Sequence, residues 1–272
     1  MSAQTPSKRL TIRDIAAMRR RGEAVAMLTA YDATMAALVD MSGADMILIG
    51  DSLGNVVLGH ETTLPVTLDD MIRHAAAVKR GSQRALLVCD LPFGAVIDPD
   101  TTLVNAMRVL KETGVEAVKI EGGLAMVPLV EKLVNHGIAV VAHVGLTPQH
   151  VHQMGGYYIH GKDETSAARL RAEALALEGA GAFAIVLECV TPALAAEITQ
   201  SLTIPTIGIG SGKDCAGQVL VINDLIGLNI TPPPSFAKPR ADVASVIRTA
   251  VGEYVAETKA KRGPVPLVLR AD

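Results

Sequence analysis

Five short apolar runs in this chain each stop at a titratable side chain, and no other feature constrains the fold as tightly. MILI passes Gly50 to reach Asp51, ALLVC ends at Asp90, AVKI at Glu121, IAVVA at His143 and AFAIVL at Glu188. Such runs are too short for helices and read as strands buried on both faces, as in a parallel sheet. An ionised group closing a buried strand is costly unless a partner or a ligand meets it. Together they predict a polar site at one end of a parallel sheet.

The intervening segments are helical in pattern. Strands are expected at Val25–Thr29, Met46–Ile49, Ala85–Cys89, Ala117–Ile120, Ile138–Ala142, Ala182–Leu187, Thr206–Ile209 and Gln218–Ile222. Helices are expected at Asp32–Asp40, Leu68–Lys79, Thr101–Glu112, Leu124–Asn135, Glu164–Glu178 and Pro192–Ser201, with only a weakly helical link between the last two strands. Strict strand–helix alternation is the signature of an α/β fold, and eight units in 272 residues favour a closed (β/α)8 TIM barrel over an open sheet. Thr11–Arg21 precedes the first strand, with Thr11 as N-cap and Asp14 three residues on, so it is expected to cover the bottom of the barrel. The reading is a single domain over 1–272, with a loose arm at 1–10 and a closing amphipathic helix at Asp242–Lys259.

Bulk properties exclude several classes. The net charge is −3 and the densest basic run is only MRRR at 18–21, so no nucleic-acid footprint is present. The three cysteines have no metal-like spacing and an odd count, as expected of reduced thiols. The first residues lack the apolar core of a signal peptide and no run approaches membrane-spanning length, so a soluble cytoplasmic protein is expected. Three long loops follow strands, at Ser52–Thr67, His143–Asp163 and Asn223–Arg240, on the face where barrels build their sites.

Alternation along a strand makes Lys119 and Glu121 point the same way. An ammonium under a helix would be expensive, so an inward Lys119–Glu121 pair near the barrel mouth is the reading, with a purely structural ion pair as its rival. Asp51, Asp90 and Glu121 form an oxygen-rich set lacking the Cys/His mixture that zinc prefers, and hard carboxylates suit Mg²⁺. The competing reading is that each acid caps a helix N-terminus. Carboxylates with apolar neighbours hold protons more tightly, which suits Glu188 to abstract a carbon-bound proton, with His143 competing for the role or donating to a substrate oxygen. His60, His150, His152 and His160 read as lid or surface residues. GIGSGK at 208–213 lacks the full phosphate-loop pattern and reads as a tight turn.

Several blocks, among them LTAYDATMA (28–36), DMILIGDSLGNVVLGHETTLPVTLDDMIRH (45–74), DLPFG (90–94), VKIEGG (118–123), VVAHVGLTPQ (140–149), GGYYIHGK (155–162), LECV (187–190) and PTIGIGSGKDCAGQVLV (205–221), resemble the ketopantoate hydroxymethyltransferase family. The match is collinear from about residue 8 to 260. The resemblance implies a (β/α)8 barrel, Mg²⁺, 5,10-methylenetetrahydrofolate as co-substrate, 3-methyl-2-oxobutanoate as acceptor, and a homodecamer built as a pentamer of dimers. Carried over by position, it implies that Asp51 and Asp90 are Mg²⁺ ligands with Glu121 beside the metal. Ser52 and Lys119 would hold the keto acid carboxylate with Asp51, Glu188 would remove the C3 proton, and His143 would contact a substrate oxygen. Gly212–Lys213–Asp214 and the tail PVPLVLRAD depart from the family pattern. The alternative is a Mg²⁺-dependent 2-oxo acid carbon–carbon lyase of the phosphoenolpyruvate mutase/isocitrate lyase type. Such lyases are expected to carry a reactive cysteine in a flexible active-site loop, whereas Cys89, Cys189 and Cys215 fall beside strands or in a turn.

Overall fold

The computed structural model describes residues 8–260. Eight parallel strands, β1 (Val25–Thr29), β2 (Met46–Ile49), β3 (Leu86–Asp90), β4 (Ala117–Glu121), β5 (Ala139–Gly145), β6 (Ala184–Glu188), β7 (Thr206–Ile209) and β8 (Gly217–Leu220), form a closed barrel in chain order. Closure is made where β1 pairs with β8, Val25 opposite Gly217. The helices are α1 (Ile12–Arg21), α2 (Ala33–Met41), α3 (Leu53–Val56), α4 (Leu68–Gly81), α5 (Pro99–Thr113), α6 (Val127–Asn135), α7 (Val151–Met154), α8 (Glu164–Gly179), α9 (Pro192–Ser201), α10 (Ile222–Ile226) and α11 (Val243–Ala260). Their starts follow local chemistry: Thr11 with Asp14 and Thr67 with Asp70 form reciprocal capping boxes, and Asp98 caps α5 ahead of Pro99.

Inward-facing residues of all eight strands make one apolar layer, including Val25, Met27, Met46, Leu48, Leu86, Val88, Ala117, Val141, Val186, Ile207 and Val219. Ile15 of α1 is fully buried within that layer, so the first helix does seal the barrel floor. Arg9 fastens its approach by donating to the Ser82 and Ala85 carbonyls ahead of β3. Of the expected arm at 1–10, residues 1–7 lie outside the described residues, while Leu10 N–H donates to the Arg84 carbonyl at 2.7 Å. The tail PVPLVLRAD lies outside them too.

Residues 210–216 between β7 and β8 carry no helix. GIGSGK is a tight turn: Gly210 and Gly212 have φ of 64° and 82°, and the buried Ser211 hydroxyl donates to the Leu187 carbonyl. Residues through Ile222 form one compact unit and those from Asn223 a second. Within the second, the Asp242 carboxylate accepts from Ser245 N–H at the start of α11, and no residue of that helix is buried. No helix among the described residues is long and apolar enough to cross a membrane.

Candidate active site

The inward position two residues beyond the apolar layer is where the barrel turns polar. Counting on from Val88, Ala117, Val141 and Val186 reaches Asp90, Lys119, His143 and Glu188, and one more inward step along β4 reaches Glu121. Strand register then sets acid beside base, because Asp90 lies opposite Lys119 and Glu121 opposite His143. Lys119 Nζ is the hub, 3.2 Å from Asp90 Oδ1, 3.5 Å from Glu121 Oε1 and 3.0 Å from His143 Nδ1. The expected inward Lys119–Glu121 pair is therefore present, as one edge of a larger network. Glu188 closes the row, with Oε2 3.1 Å from His143 Nε2.

Asp51 arrives differently. Gly50 holds the inward position after β2, and a Cβ there would stand 2.8 Å from Ser52 Oγ and 3.6 Å from Asp90 Oδ2. Its missing side chain lets the next residue in: Asp51 N–H donates to Asp90 Oδ2 at 3.1 Å, and its own carboxylate turns into the site. Ser52 Oγ shares a hydrogen bond of 2.9 Å with the Tyr31 hydroxyl.

Charge is unevenly satisfied. Burial, then the negative neighbours Glu121 and Asp90, push Asp51 well above the usual carboxylate range. Burial also raises Asp90, against the opposing pull of Lys119. Burial would raise Glu121 as well, but Lys119 and His143 outweigh it and hold it at about 2. Burial disfavours the Lys119 ammonium, yet Asp90, Glu121 and Asp51 more than compensate and its pKa is raised. Burial and Lys119 oppose a charged His143, but Glu121 and Glu188 at its two nitrogens hold it up at about 9. When Lys119 donates to Nδ1, and equally when the ring is fully protonated, Nε2 carries the proton.

Two atoms here break the rule that buried polar groups are paired. Asp90 Oδ1 has Lys119 as an ion-pair neighbour but accepts no aligned hydrogen bond, and His143 Nε2 likewise has none from its contact with Glu188. They supply an oxygen suited to a cation and an N–H whose neighbour Glu188 lies close without an aligned hydrogen bond. Among the described residues no three His, Cys, Asp or Glu side chains form a ready metal cage. Asp51 and Asp90 offer instead two adjacent carboxylates, which fits Mg²⁺, a cation that keeps water and substrate oxygens in its shell. Glu121 is more fully engaged, since Oε2 accepts from Gln149 N–H at 3.1 Å and Oε1 faces Lys119 and His143.

The comparisons with known proteins decide the family. The model for ketopantoate hydroxymethyltransferase matches residues 9–266. The chain belongs to the ketopantoate hydroxymethyltransferase family. The 3-methyl-2-oxobutanoate hydroxymethyltransferase of Magnetococcus marinus is 52% identical over 260 residues, 95% of this chain and 97% of that protein. The protein of the same name from Syntrophotalea carbinolica is 50% identical over the same shares. The protein is thus an enzyme of the hydroxymethyltransferase type. Among solved structures, phosphonopyruvate hydrolase in complex with oxalate and Mg²⁺ superposes with a TM-score of 0.62 at 12% identity, covering 96% of this chain and 91% of that one. A 2,3-dimethylmalate lyase of the phosphoenolpyruvate mutase/isocitrate lyase superfamily gives 0.53 at 18%, covering 95% and 90%. At those identities the likeness is one of fold.

Two of the three cysteines are buried beside the site acids, and Cys215 is partly exposed in the turn between β7 and β8. Cys89 is buried in β3, its thiol pushed well up by burial and then by Asp90 and Asp51. Burial, then Glu188, raises Cys189 to about 11. Both shifts favour the neutral thiol. Two residues of the site escaped the sequence reading. Gln149 donates from Nε2 to Asp51 Oδ2 at 2.9 Å and to the Leu91 carbonyl at 3.0 Å, tying the long loop after β5 across the acids. Tyr31 lies two residues past the end of β1, a strand-end position that could have flagged it. His160, read as a lid or surface residue, is buried and its backbone pairs with Val190.

Proposed function

We propose that the protein transfers a hydroxymethyl group from 5,10-methylenetetrahydrofolate to 3-methyl-2-oxobutanoate, consuming water and giving 2-dehydropantoate and tetrahydrofolate, for pantothenate biosynthesis. Family membership supports the reaction, and the observation that carries the mechanism is the pair of unsatisfied buried atoms, Asp90 Oδ1 and His143 Nε2. A chelating keto acid with a divalent cation is a ligand that answers both. Asp51 and Asp90 would hold Mg²⁺ with Glu121 beside it, and the ion when bound supplies Lewis-acid polarisation of the keto acid.

The chain's own residues do the rest. Lys119 and Ser52, with Asp51 alongside, fix the substrate carboxylate, the serine hydroxyl being oriented by Tyr31. His143 donates Nε2–H to a substrate oxygen; a nitrogen that already carries its proton cannot serve as the base. Glu188 takes the C3 proton. Its side chain is 16% exposed against 2% for Glu121 and 3% for Asp90, so it is the acid of the row that a substrate carbon can reach. The resulting enolate carbon forms its new bond to the donor's methylene carbon as one of that carbon's two bonds to nitrogen breaks. Water then displaces the second nitrogen and leaves its hydroxyl on the carbon. The C3 proton and the water's other proton end on the two nitrogens of the released tetrahydrofolate. The loop after β5, with Gly155–Gly156 as hinge, closes over the site and keeps bulk water from the enolate. The activity is assigned to the cytoplasm and to a homodecamer, for which exposed Val104 and Met107 on α5 offer apolar contact surface.

The test is proton NMR in D₂O, following the C3–H signal of 3-methyl-2-oxobutanoate with protein and Mg²⁺ but no folate. Metal-dependent exchange is expected, and Glu188→Gln should lower it at least a hundredfold, the scale of a lost general base. Retained exchange in that variant would move the base elsewhere.

A further inference from the structure

The loop after β5 is pinned at both ends to the site itself. At one end Gln149 bonds to Asp51 and Glu121 through its side chain and backbone. At the other, His160 N–H donates to the Cys189 carbonyl at 2.7 Å, and Thr191 N–H returns a bond to the His160 carbonyl at 3.0 Å. Cys189 directly follows Glu188 and, with φ of 48°, is the one non-glycine residue at positive φ among the described residues. Such strain persists only where the surroundings enforce it, and here it sits at the strap's anchor. Residues 150–159 therefore run between Asp51 just past β2 and Glu121 on β4 at one end and the residue after Glu188 of β6 at the other.

What the strap carries is unlike the rest of the mouth. After α7, Gly155 and Gly156 take φ of 75° and 137° with nothing within 4 Å of a built Cβ. Tyr157, Tyr158 and Ile159 follow, each about half exposed. Tyr158 is committed to the strap: its hydroxyl donates to the Met154 carbonyl and its ring lies 5.3 Å from the His160 ring. His160 in turn is 8% exposed, with a buried Nε2 that has no hydrogen-bond partner among the described residues. Tyr157 makes no hydrogen bond among the described residues and is 57% exposed. It lies three residues before His160, whose N–H is bonded to the carbonyl of the residue directly after Glu188, and its phenol pKa is raised by burial and then by Glu188, Asp51 and Glu121.

We propose that Tyr157 is the stacking platform for the flat pyrimidine portion of the one-carbon donor's fused ring, carried on the strap that the Gln149 and His160 anchors fasten beside the site acids. The inference rests on the reaction proposed above and adds the donor's binding residue to it. The keto acid is small and polar and is met by Asp51, Lys119 and His143, so it leaves an exposed aromatic face with nothing to do. The donor presents the flat pyrimidine part of its fused ring for stacking and must bring its methylene carbon to the carbon that Glu188 has deprotonated.

The experiment measures tetrahydrofolate binding by calorimetry, the KM for 5,10-methylenetetrahydrofolate, and folate-free C3–H exchange, on the full-length protein with Mg²⁺. Tyr157→Ala is expected to weaken tetrahydrofolate binding and raise the donor's KM about tenfold. Tyr157→Phe should restore both, because the face and not the hydroxyl does the stacking. A Tyr157→Ala protein that binds tetrahydrofolate like wild type overturns the assignment while leaving the reaction intact. Folate-free exchange falling as far as donor binding would also overturn it, since the ring would then serve the keto acid or the fold. A wild-type protein that neither exchanges C3–H nor binds tetrahydrofolate would sink the reaction and this inference together.

Discussion

Val88 and Asp90 sit two residues apart on β3 and face the same way, as do Ala117 and Lys119 on β4, Val141 and His143 on β5, and Val186 and Glu188 on β6. The lower member of each pair is buried hydrocarbon, sealed from below by Ile15. The upper member is charged or titratable and belongs to a network with two unsatisfied atoms. Both layers exclude water almost equally, so burial does not separate them; partner chemistry does. The lower layer is complete in itself, whereas the upper one leaves Asp90 Oδ1 and His143 Nε2 without an aligned hydrogen bond.

Exchanging chemistry between the layers should break the molecule most severely. Val141→Asp places a carboxylate in the lower layer with no donor to meet it, at a cost of at least several kcal/mol. The expected outcome is a protein that fails to show a cooperative melt by circular dichroism. His143→Gln, two residues further along the same strand, should fold and melt near wild type while losing most turnover. A folded Val141→Asp protein would mean that the lower layer is more hydrated than its sealed packing implies.

Asp51→Asn probes the upper layer's incompleteness. Asp51 is held well above the usual carboxylate range by burial and by its negative neighbours, so its charge destabilises the metal-free fold near neutral pH. The amide can still accept from Gln149 Nε2. Turnover should fall at least a thousandfold, while metal-free stability at pH 7 should rise, because the amide carries no charge to bury. Denaturant melts of both proteins in chelator read this directly. An unchanged or lower stability would show that the acid is already paired without metal.

Ile15→Ala tests the floor alone. Removing a fully buried side chain should cost about 2–5 kcal/mol, read as a lowered melting temperature, with kcat below the melt left near wild type. A fall in kcat without a fall in stability would connect floor and mouth in a way the layers do not suggest.

How much of this was legible beforehand follows from the same two layers. β1, β2 and β7 begin and end where the apolar runs do, because their boundaries are hydrophobic boundaries. β3, β4 and β6 run one residue further than their apolar stretches, to Asp90, Glu121 and Glu188, and β5 runs on through His143 to Gly145. A polar residue at a strand end looks like loop until the ladder pairs Glu121 with His143. The acids were visible because charge after a buried run is anomalous. Gln149 and Tyr31 were not, since a glutamine or tyrosine near a loop breaks no local rule. Their roles depend on contacts between residues 98 and 21 positions apart, made only when the barrel closes. The burial of His160 is of the same kind, created by a bridge to Val190.

Asp40 supplies the smallest and sharpest contrast, an acid of the floor end whose donors are already in place. Its carboxylate accepts from Ala85 N–H at 2.6 Å, Gln83 N–H at 2.9 Å and Arg84 N–H at 3.0 Å, the backbone leading into β3. Burial opposes its charge, but those three donors prevail and its pKa is lowered, the opposite outcome to Asp51. A depressed folded-state pKa gives stability that is present above the unfolded value near 3.8 and is lost as pH falls through the folded value. Asp40→Asn keeps an acceptor but not the charge, and should cost about 1–3 kcal/mol at pH 7. The gap to wild type should narrow as pH drops below about 4, because wild-type Asp40 then takes up its own proton. Melts of the two proteins at pH 7 and pH 3 decide it, and a gap that stays constant would mean that the geometry of the three bonds, and not their charge, holds the start of β3.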